Sequence, residues 1–383
     1  MKRILFVHNS SMIGGANRAL LGLFAAIDRG RYEPWSVLPT KGPMEEELQH
    51  LDVAHTIMNV GELSAGTGWA GRQAAVWFRS LMTVARGRVK LIHAMSPLTY
   101  RMPALAGHAM GAKCVCHLQF PVEPCEDLAW SFKQWPDRII ACSQSVMESC
   151  EHKMRETPAH AHRLPLDNIV VIPNFVDIAH FVPMAPSNRV RSEVGISKTD
   201  VVVTIVGLVS QRKGHAEFIR MANAVSKGRP HVHFLVAGED LLTNGVYRRE
   251  MEQYARDLGI DQRVHFLGFR SDVRDILLDS DVVVLPSHQE GMPLAILEAA
   301  ACAKPVVAYK IPGVDEVIDH ERTGLMVTES DETALAAAVA RLVDQAEFRS
   351  TLGQHARKHV EARYSLSTFA ERMTMTYDEL LHA

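Results

Sequence analysis

Cysteine is scarce, six in 383 residues, and the close pair Cys114 and Cys116 does not have the spacing of a secreted disulfide framework. A reducing cytosol fits better. Charge of one sign is lacking too: 41 Lys plus Arg stand against 44 Asp plus Glu, a net charge of −3, so no global basic field argues for nucleic acid. No apolar stretch approaches the roughly 20 residues that span a bilayer, which excludes a membrane-crossing helix. The run Ile4 to Val7 after Lys2 and Arg3 is too short for a signal-peptide core and reads as a buried strand. Aromatics make up only 7%, but 47% hydrophobic and 22% charged residues describe an ordinary globular chain rather than a disordered one. Its length exceeds what one core usually absorbs, so two domains are expected.

What is there is an alternation of short β-branched runs with helical patterns, the mark of parallel sheets covered by helices. Strands are expected at Ile4 to His8, Trp35 to Leu38, Lys90 to Ala94, Lys113 to His117, Arg138 to Cys142 and Asn168 to Ile172. A Pro-bearing stretch from Pro173 to Asn188 interrupts the rhythm and reads as an inter-domain linker. Beyond it the rhythm restarts at Val201 to Val206, His231 to Ala237, Arg263 to Phe266, Val282 to Leu285, Pro305 to Ala308 and Leu325 to Val327. The fold class is therefore α/β, with two doubly wound units. A last helix is expected from about Ser367 to Leu381.

Each unit opens with a strand running into a glycine-bearing turn and a helix: Gly14-Gly15 in the first, Gly207 through Gly214 in the second. Glycine lets a backbone approach a ligand, and a helix start offers free N–H groups to an anion. Neither turn is a GxGxxG or a P-loop, which counts against a dinucleotide oxidoreductase and a P-loop ATPase.

The informative stretch is Asp281-Val-Val-Val-Leu-Pro-Ser-His-Gln-Glu-Gly-Met-Pro-Leu-Ala-Ile-Leu-Glu298. A buried strand leads into a loop, and Pro293 stands where a helix takes its first residue, so the amides of Leu294, Ala295 and Ile296 point unpaired toward the carboxyl edge of the sheet. Glu298 falls one turn deeper on the same helix, with Glu290 on the loop above it. Two carboxylates beside an anion-binding helix start repel phosphate unless they meet sugar hydroxyls, while Lys213 with Arg212 beside it supplies positive charge. The layout is that of a nucleotide-sugar site. Taken alone, the two glutamates read equally well as a solvated loop acid and a helix-surface acid.

With these residues on the page, the chain resembles family 4 of the retaining glycosyltransferases, which have the two-Rossmann GT-B fold. The matching pieces are Glu290-x7-Glu298, Phe266-Leu-Gly268 before Asp272-Val273, Leu285-Pro-Ser287, Glu298-Ala-Ala300 leading to Pro305-Val-Val307, and Thr323-Gly-Leu325. Lys213-Gly214, Ile172-Pro-Asn174 with Val176-Asp177, and Gly14-Gly15 extend the match over nearly the whole chain. The resemblance implies two Rossmann-like domains facing across a cleft, at 1–180 and 189–366, with 367–383 crossing back onto the first. It gives Glu298 the ribose hydroxyls, Lys213 the diphosphate, Glu290 a donor-sugar hydroxyl, and the Leu294 and Ala295 amides the distal phosphate. Phe269 and Arg270 border the base, and Gly14-Gly15 approach the donor phosphate from the first domain. Two departures stand out. Leu208 occupies the family's Arg position, leaving that diphosphate contact missing or taken over by Arg212, and Lys304 replaces a glycine before Pro305.

The expected activity is metal-independent transfer of a sugar, with retention, from a nucleoside diphosphate sugar to a saccharide or lipid-linked hydroxyl acceptor in glycan synthesis, without a cofactor. A sugar-nucleotide epimerase, a sugar phosphorylase and a catalytically silent nucleotide-sugar binder are the alternatives. His117 reads either as a residue beside the donor sugar, as the family often has it, or as a core histidine at a strand end. A zinc site from Cys114, Cys116, His117 and Cys125 is disfavoured, because His117 points away from the two cysteines on a strand. Asp279-Ser-Asp281 precedes its strand and reads as a helix end rather than a metal-binding pair. His231 and His233 share a strand face without a third ligand and read as surface residues. Arg72, Arg79 and Arg86 form one stripe at helical period, with Trp77, Leu81 and Val84 on another face. Such a helix suits an anionic membrane surface, hence a cytoplasmic and possible peripheral location, or is an ordinary covering helix.

Overall fold

The computed structural model describes residues 1–60, 69–123, 128–132, 134–156 and 168–382, with the backbone alone at 69–72 and 129–130. Two units divide the chain: 1–174 together with 366–383, and 175–365.

The first unit holds seven strands, β1 (Lys2–Val7), β2 (Tyr32–Leu38), β3 (Ala54–Ile57), β4 (Val89–Ala94), β5 (Lys113–Leu118), β6 (Arg138–Ala141) and β7 (Ile169–Val171). They lie side by side in the order β3-β2-β1-β4-β5-β6-β7, all parallel. A parallel sheet is covered on both faces, so its central strands are apolar without alternation. Ile4, Leu5, Phe6 and Val7 are all buried accordingly. The edge strand β3 is absent from the sequence expectation. Its Ala-His-Thr-Ile is only partly buried, because it pairs with β2 on one side alone, and so it lacks the apolar run that marks its neighbours. Helix Pro97–Ala109 starts as its residues dictate, with the Ser96 hydroxyl capping the Leu98 amide and Pro97 in the first turn. The closing helix Leu366–His382 belongs to this unit. It buries Met373 and Tyr377, and its Asp378 accepts from Arg31 and the Tyr32 hydroxyl.

The second unit holds β8 (Val201–Val206), β9 (Val232–Ala237), β10 (Val264–Gly268), β11 (Val282–Leu285), β12 (Val306–Tyr309) and β13 (Gly324–Val327). The order is β10-β9-β8-β11-β12-β13, again parallel. The strand order reverses between β8 and β11, and the loops leaving the carboxyl ends there diverge to opposite sides, the place where open α/β sheets take ligands. The Asp279-Ser-Asp281 segment is structural. Buried Asp279 accepts from the amides of Asn188 (2.8 Å) and Val190 (2.9 Å), and Asp281 takes Arg191 Nη2 at 2.7 Å and the Val202 amide at 2.9 Å. His233 departs from its expectation as a surface residue. It is half-buried, within 3.3 Å of His265 Nε2 on β10 and 3.4 Å of Asp200. The histidine on the adjacent strand, remote in sequence, was the missing partner.

Candidate donor site at the second sheet's carboxyl edge

Two loops flank the reversal point. The first leaves β8, tightens into a single turn at Gln211–Lys213 and enters helix His215–Ser226; the second leaves β11 and enters helix Leu294–Ala301. They are stitched to each other: the His288 amide donates to Arg212 O at 2.9 Å, and Arg212 Nη1 donates to Gln289 O at 2.8 Å. Gly214 makes the approach possible. Its φ is 72°, and a β-carbon there would stand 1.9 Å from Pro286 O, so only glycine fits. A third loop, after β12, closes in the same way. Gly313 at φ 84° would put a β-carbon 2.2 Å from Gly291 O.

These contacts bring Lys213 and Glu290 together. Lys213 Nζ donates to Glu290 Oε1 at 2.5 Å, and Arg212 Nη1 lies 3.8 Å from Glu290 Oε2. Glu290 is 3% exposed and Glu298 6%, so neither is the solvated acid that a loop and a helix face allow in the sequence. Burying a carboxylate costs several kcal/mol unless a cation and hydrogen bonds hold it, and for Glu290 that cation is Lys213. Pro293 sits outside helix Leu294–Ala301 as its N-cap, with extended backbone, rather than as its first residue. The expectation for the Ile296 amide also changes, since it donates back to Pro293 O at 3.2 Å. The amides of Leu294 and Ala295, at the first two helical positions, have no acceptor within the helix.

Phe269 is exposed. Arg270 is held by a two-pronged pair with Asp272 (2.7 Å each) and by Glu193 at 2.6 Å, and those partners raise its pKa while Arg270 draws that of Asp272 down to about 2. His215 was not singled out from the sequence. It is buried, its Nδ1 lies 3.2 Å from Ser210 O, and its Nε2, like Ser287 Oγ, has no hydrogen-bond partner among the described residues. Its position directly after the Lys213-Gly214 turn was the available signal.

In the first unit, Gly14 and Gly15 are exposed at the start of helix Gly15–Ala26, and Gly14 caps it in extended conformation. His117, on β5, is fully buried. One ring nitrogen faces His93 Nε2 at 3.2 Å and the other the Gln119 amide at 2.8 Å, and His93 in turn meets the Tyr377 hydroxyl at 2.7 Å. Burial pushes the His117 pKa down to about 3, so the ring is neutral. Cys125 lies outside the described residues, as does the side chain of Arg72. On helix Trp69–Gly87, Arg79 and Arg86 face solvent. Val84 is buried and Trp77 half-buried, while Phe78 is exposed. Among the described residues no helix is long and apolar enough to cross a membrane.

Two parallel α/β sheets, with a glycine-stitched carboxyl edge on the second, are the architecture of GT-B glycosyltransferases. HepE from Anabaena, solved with UDP and glucose, superposes with a TM-score of 0.84 over 99% of this chain and 100% of its own at 23% identity. Sucrose-phosphate synthase from Thermosynechococcus elongatus gives 0.77 over the full length of both chains at 20% identity. Residues 187–359, nearly the whole of the second unit, match the family model "Glycosyl transferases group 1". A D-inositol 3-phosphate glycosyltransferase from Corynebacterium kroppenstedtii is 29% identical over 66% of this chain and 59% of its own. The UDP-Gal:alpha-D-GlcNAc-diphosphoundecaprenol alpha-1,3-galactosyltransferase of Escherichia coli is 27% identical over 66% of each. The chain thus spans about three fifths to two thirds of the length of these curated relatives.

Proposed function

We propose that the protein is a retaining glycosyltransferase that moves a hexosyl-type sugar from a nucleoside diphosphate sugar to a hydroxyl acceptor. The observation that carries this reading is the buried Lys213–Glu290 pair at the strand-order reversal, beside a helix start with free amides. An incoming diphosphate displaces Glu290 from the ammonium and takes Lys213 together with the Leu294 and Ala295 amides. Glu290, released, accepts from a donor-sugar hydroxyl, and Glu298 accepts from the ribose. Phe269 offers a face to the base, with Arg270 fixed behind it. Arg212, already beside Glu290, supplies the cation that Leu208 does not.

Among the described residues of the second unit's edge no side chain is placed as a covalent nucleophile, and a same-face displacement is the course this reading adopts. The bond from the sugar to the departing phosphate oxygen breaks, the acceptor oxygen bonds to the same face, and the phosphate takes the acceptor's proton. Lys213 and the amides stabilise the charge growing on the phosphate, so no metal is needed for that role. A lipid-linked acceptor is supported by the Escherichia coli relative's substrate and by the outward face of helix Trp69–Gly87, where exposed Arg79 and Arg86 form one stripe at helical spacing with exposed Phe78 to one side of it. That face supports a location at the cytoplasmic surface of a membrane.

The test is a thermal-shift screen of nucleoside diphosphate sugars, since a ligand of the folded state raises stability by mass action, followed by transfer of radiolabel from the best donor to an acceptor. Label in a new glycoside with the donor's anomeric configuration is the expected result. Donor interconversion alone, or cleavage that requires phosphate, sinks the transferase reading.

A further inference from the structure

The sequence disfavours a zinc site that uses Cys114, Cys116, His117 and Cys125, yet the fold gathers a different set around Cys114. His108, Cys114 and Asp137 offer one nitrogen, one sulfur and one carboxylate oxygen, all within 4.8 Å of one another. They come from three elements: the last turn of helix Pro97–Ala109, the first residues of β5, and the segment entering β6. His108 and Cys114 are close in sequence, but Asp137 lies 23 residues beyond Cys114, and no spacing rule joins it to them.

The three are fixed in place by contacts of their own. Gly107 lets the helix end lie against β5, since a β-carbon there would stand 3.0 Å from Cys114 Sγ. His108 Nδ1 donates to Ala104 O at 3.1 Å, which sets the tautomer with the Nε2 lone pair free, the arrangement usual for metal-ligating histidines. That Nε2 lies 3.9 Å from Asp137 Oδ2. Asp137 is anchored to Cys114 in both directions: the Cys114 amide donates to Oδ2 at 2.8 Å, and the Asp137 amide donates to Cys114 O at 2.8 Å. Lys113 holds the other carboxylate oxygen, Oδ1, at 3.2 Å and so leaves Oδ2 turned inward. A helix C-terminus favours a cation through its dipole. Beside the cluster the Tyr100 hydroxyl is buried without a hydrogen-bond partner among the described residues.

We propose that His108 Nε2, Cys114 Sγ and Asp137 Oδ2 form a binding site for a borderline-soft divalent ion, zinc by ligand chemistry, with water in the fourth position. One nitrogen, one thiolate and one carboxylate suit zinc, whereas magnesium and calcium take oxygen alone. Tetrahedral ligands at zinc distances stand about 3 to 4 Å apart, so the quarter-exposed His108 and Asp137 side chains close in by about 1 Å around the fixed sulfur. Binding replaces the Cys114 thiol proton with the ion and releases it to solvent; nothing is oxidised or reduced. The ion clamps the end of helix Pro97–Ala109 to the start of β5 and the entry to β6. This is the amino end of the first sheet, opposite its carboxyl edge, so the role is structural and the transfer chemistry proposed above does not use it.

Tag-free protein stripped with a chelator is titrated with Co²⁺ and competed with Zn²⁺, read by visible and near-ultraviolet absorption. One equivalent should give the d–d bands of a four-coordinate site and a thiolate-to-cobalt charge-transfer band, both erased by Zn²⁺. His108→Gln should weaken affinity at least about tenfold, Cys114→Ser should remove the charge-transfer band, and Cys116→Ser should leave it. Zn²⁺ should raise the melting temperature of wild type but not of His108→Gln, a quarter-exposed position whose replacement leaves the core intact even if Cys114→Ser fails to fold. Absence of cobalt bands in wild type, or bands that survive in both Cys114→Ser and His108→Gln, overturns the proposal. Neither readout depends on glycosyl transfer.

Discussion

The two units share one architecture, a parallel sheet with its order reversed at a central strand, yet they bury polar groups in different ways. The first sheet hides histidines. His8, His93 and His117 are completely buried and neutral; His117 and His93 are strung on hydrogen bonds that reach Tyr377 of the closing helix, while His8 meets Asn17 and Ser36. In the second, an ammonium and a carboxylate are paired at the carboxyl edge, where Gly214 on the lysine's loop has positive φ and no room for a β-carbon. A neutral network needs only its own members and acts as internal fastening. A charge pair at a loop edge is held by partners that a ligand can replace, and this is the ground on which the second edge is proposed as the donor site.

The sharpest break of the comparison is at the glycines. Gly214→Ala forces a positive φ on alanine and drives its β-carbon into Pro286 O, so a loss of about 3 to 5 kcal/mol in unfolding free energy is expected. Gly14→Ala has φ −105° and meets nothing within 4 Å; chemical denaturation should show a change within about 0.5 kcal/mol. Equal losses in the two variants would erase the distinction between the edges.

Lys213→Ala comes next. It removes charge that stabilises the departing diphosphate, and turnover should fall by on the order of a hundredfold or more. Glu298→Gln should chiefly weaken nucleotide binding, seen as a smaller thermal shift with donor. Wild-type turnover in the lysine variant takes that residue out of the mechanism. Donor-induced shifts in the presence of excess chelator should be unchanged, because the diphosphate is met by amides and a lysine.

The first unit's outward helix gives a smaller effect. If Arg79 and Arg86 face anionic headgroups, each contributes about 1 kcal/mol, and Arg79→Gln with Arg86→Gln should weaken flotation with anionic liposomes roughly thirtyfold. Added salt should mimic the change, and activity on a short water-soluble acceptor should persist. Identical flotation of wild type and variant leaves only a covering helix.

The smallest effect separates the units by pH. A histidine whose folded pKa lies below its unfolded value of 6.5 contributes stability that is complete above 6.5. That contribution is lost as pH falls toward the folded value, because the unfolded chain binds protons that the folded chain does not. His8 and His117 titrate at about 4 and about 3, and burial lowers His93 as well. In the second unit burial takes His215 and His265 to about 4 and lowers His233 and His359 as well, but of these only His215 is as deeply buried as the three in the first. Between pH 6.5 and 4 the first unit should therefore loosen first. Amide exchange corrected for intrinsic rates should show its protection at pH 5 reduced about tenfold more than the second unit's. Parallel loss in both would mean the histidine chain has no such weight.

Strand runs and the closing helix were legible in the sequence, as were the loops and the helix that carry Glu290, Glu298 and Lys213. Burial on both faces of a parallel strand writes an uninterrupted apolar run, and a loop that must approach a ligand writes glycine and proline, as at Gly214 and Pro293. The edge strand Ala54–Ile57 was not legible, since pairing on one side leaves it half-exposed and compositionally plain. Tertiary structure alone decided which remote residues meet: Lys213 with Glu290, His233 with His265, His93 with Tyr377, and His108 with Cys114 and Asp137. Sequence periodicity reports which face of an element is buried. Which partner waits on the other side depends on strand order, and at the reversal between β8 and β11 that order sets side by side two strands that are not consecutive in the chain.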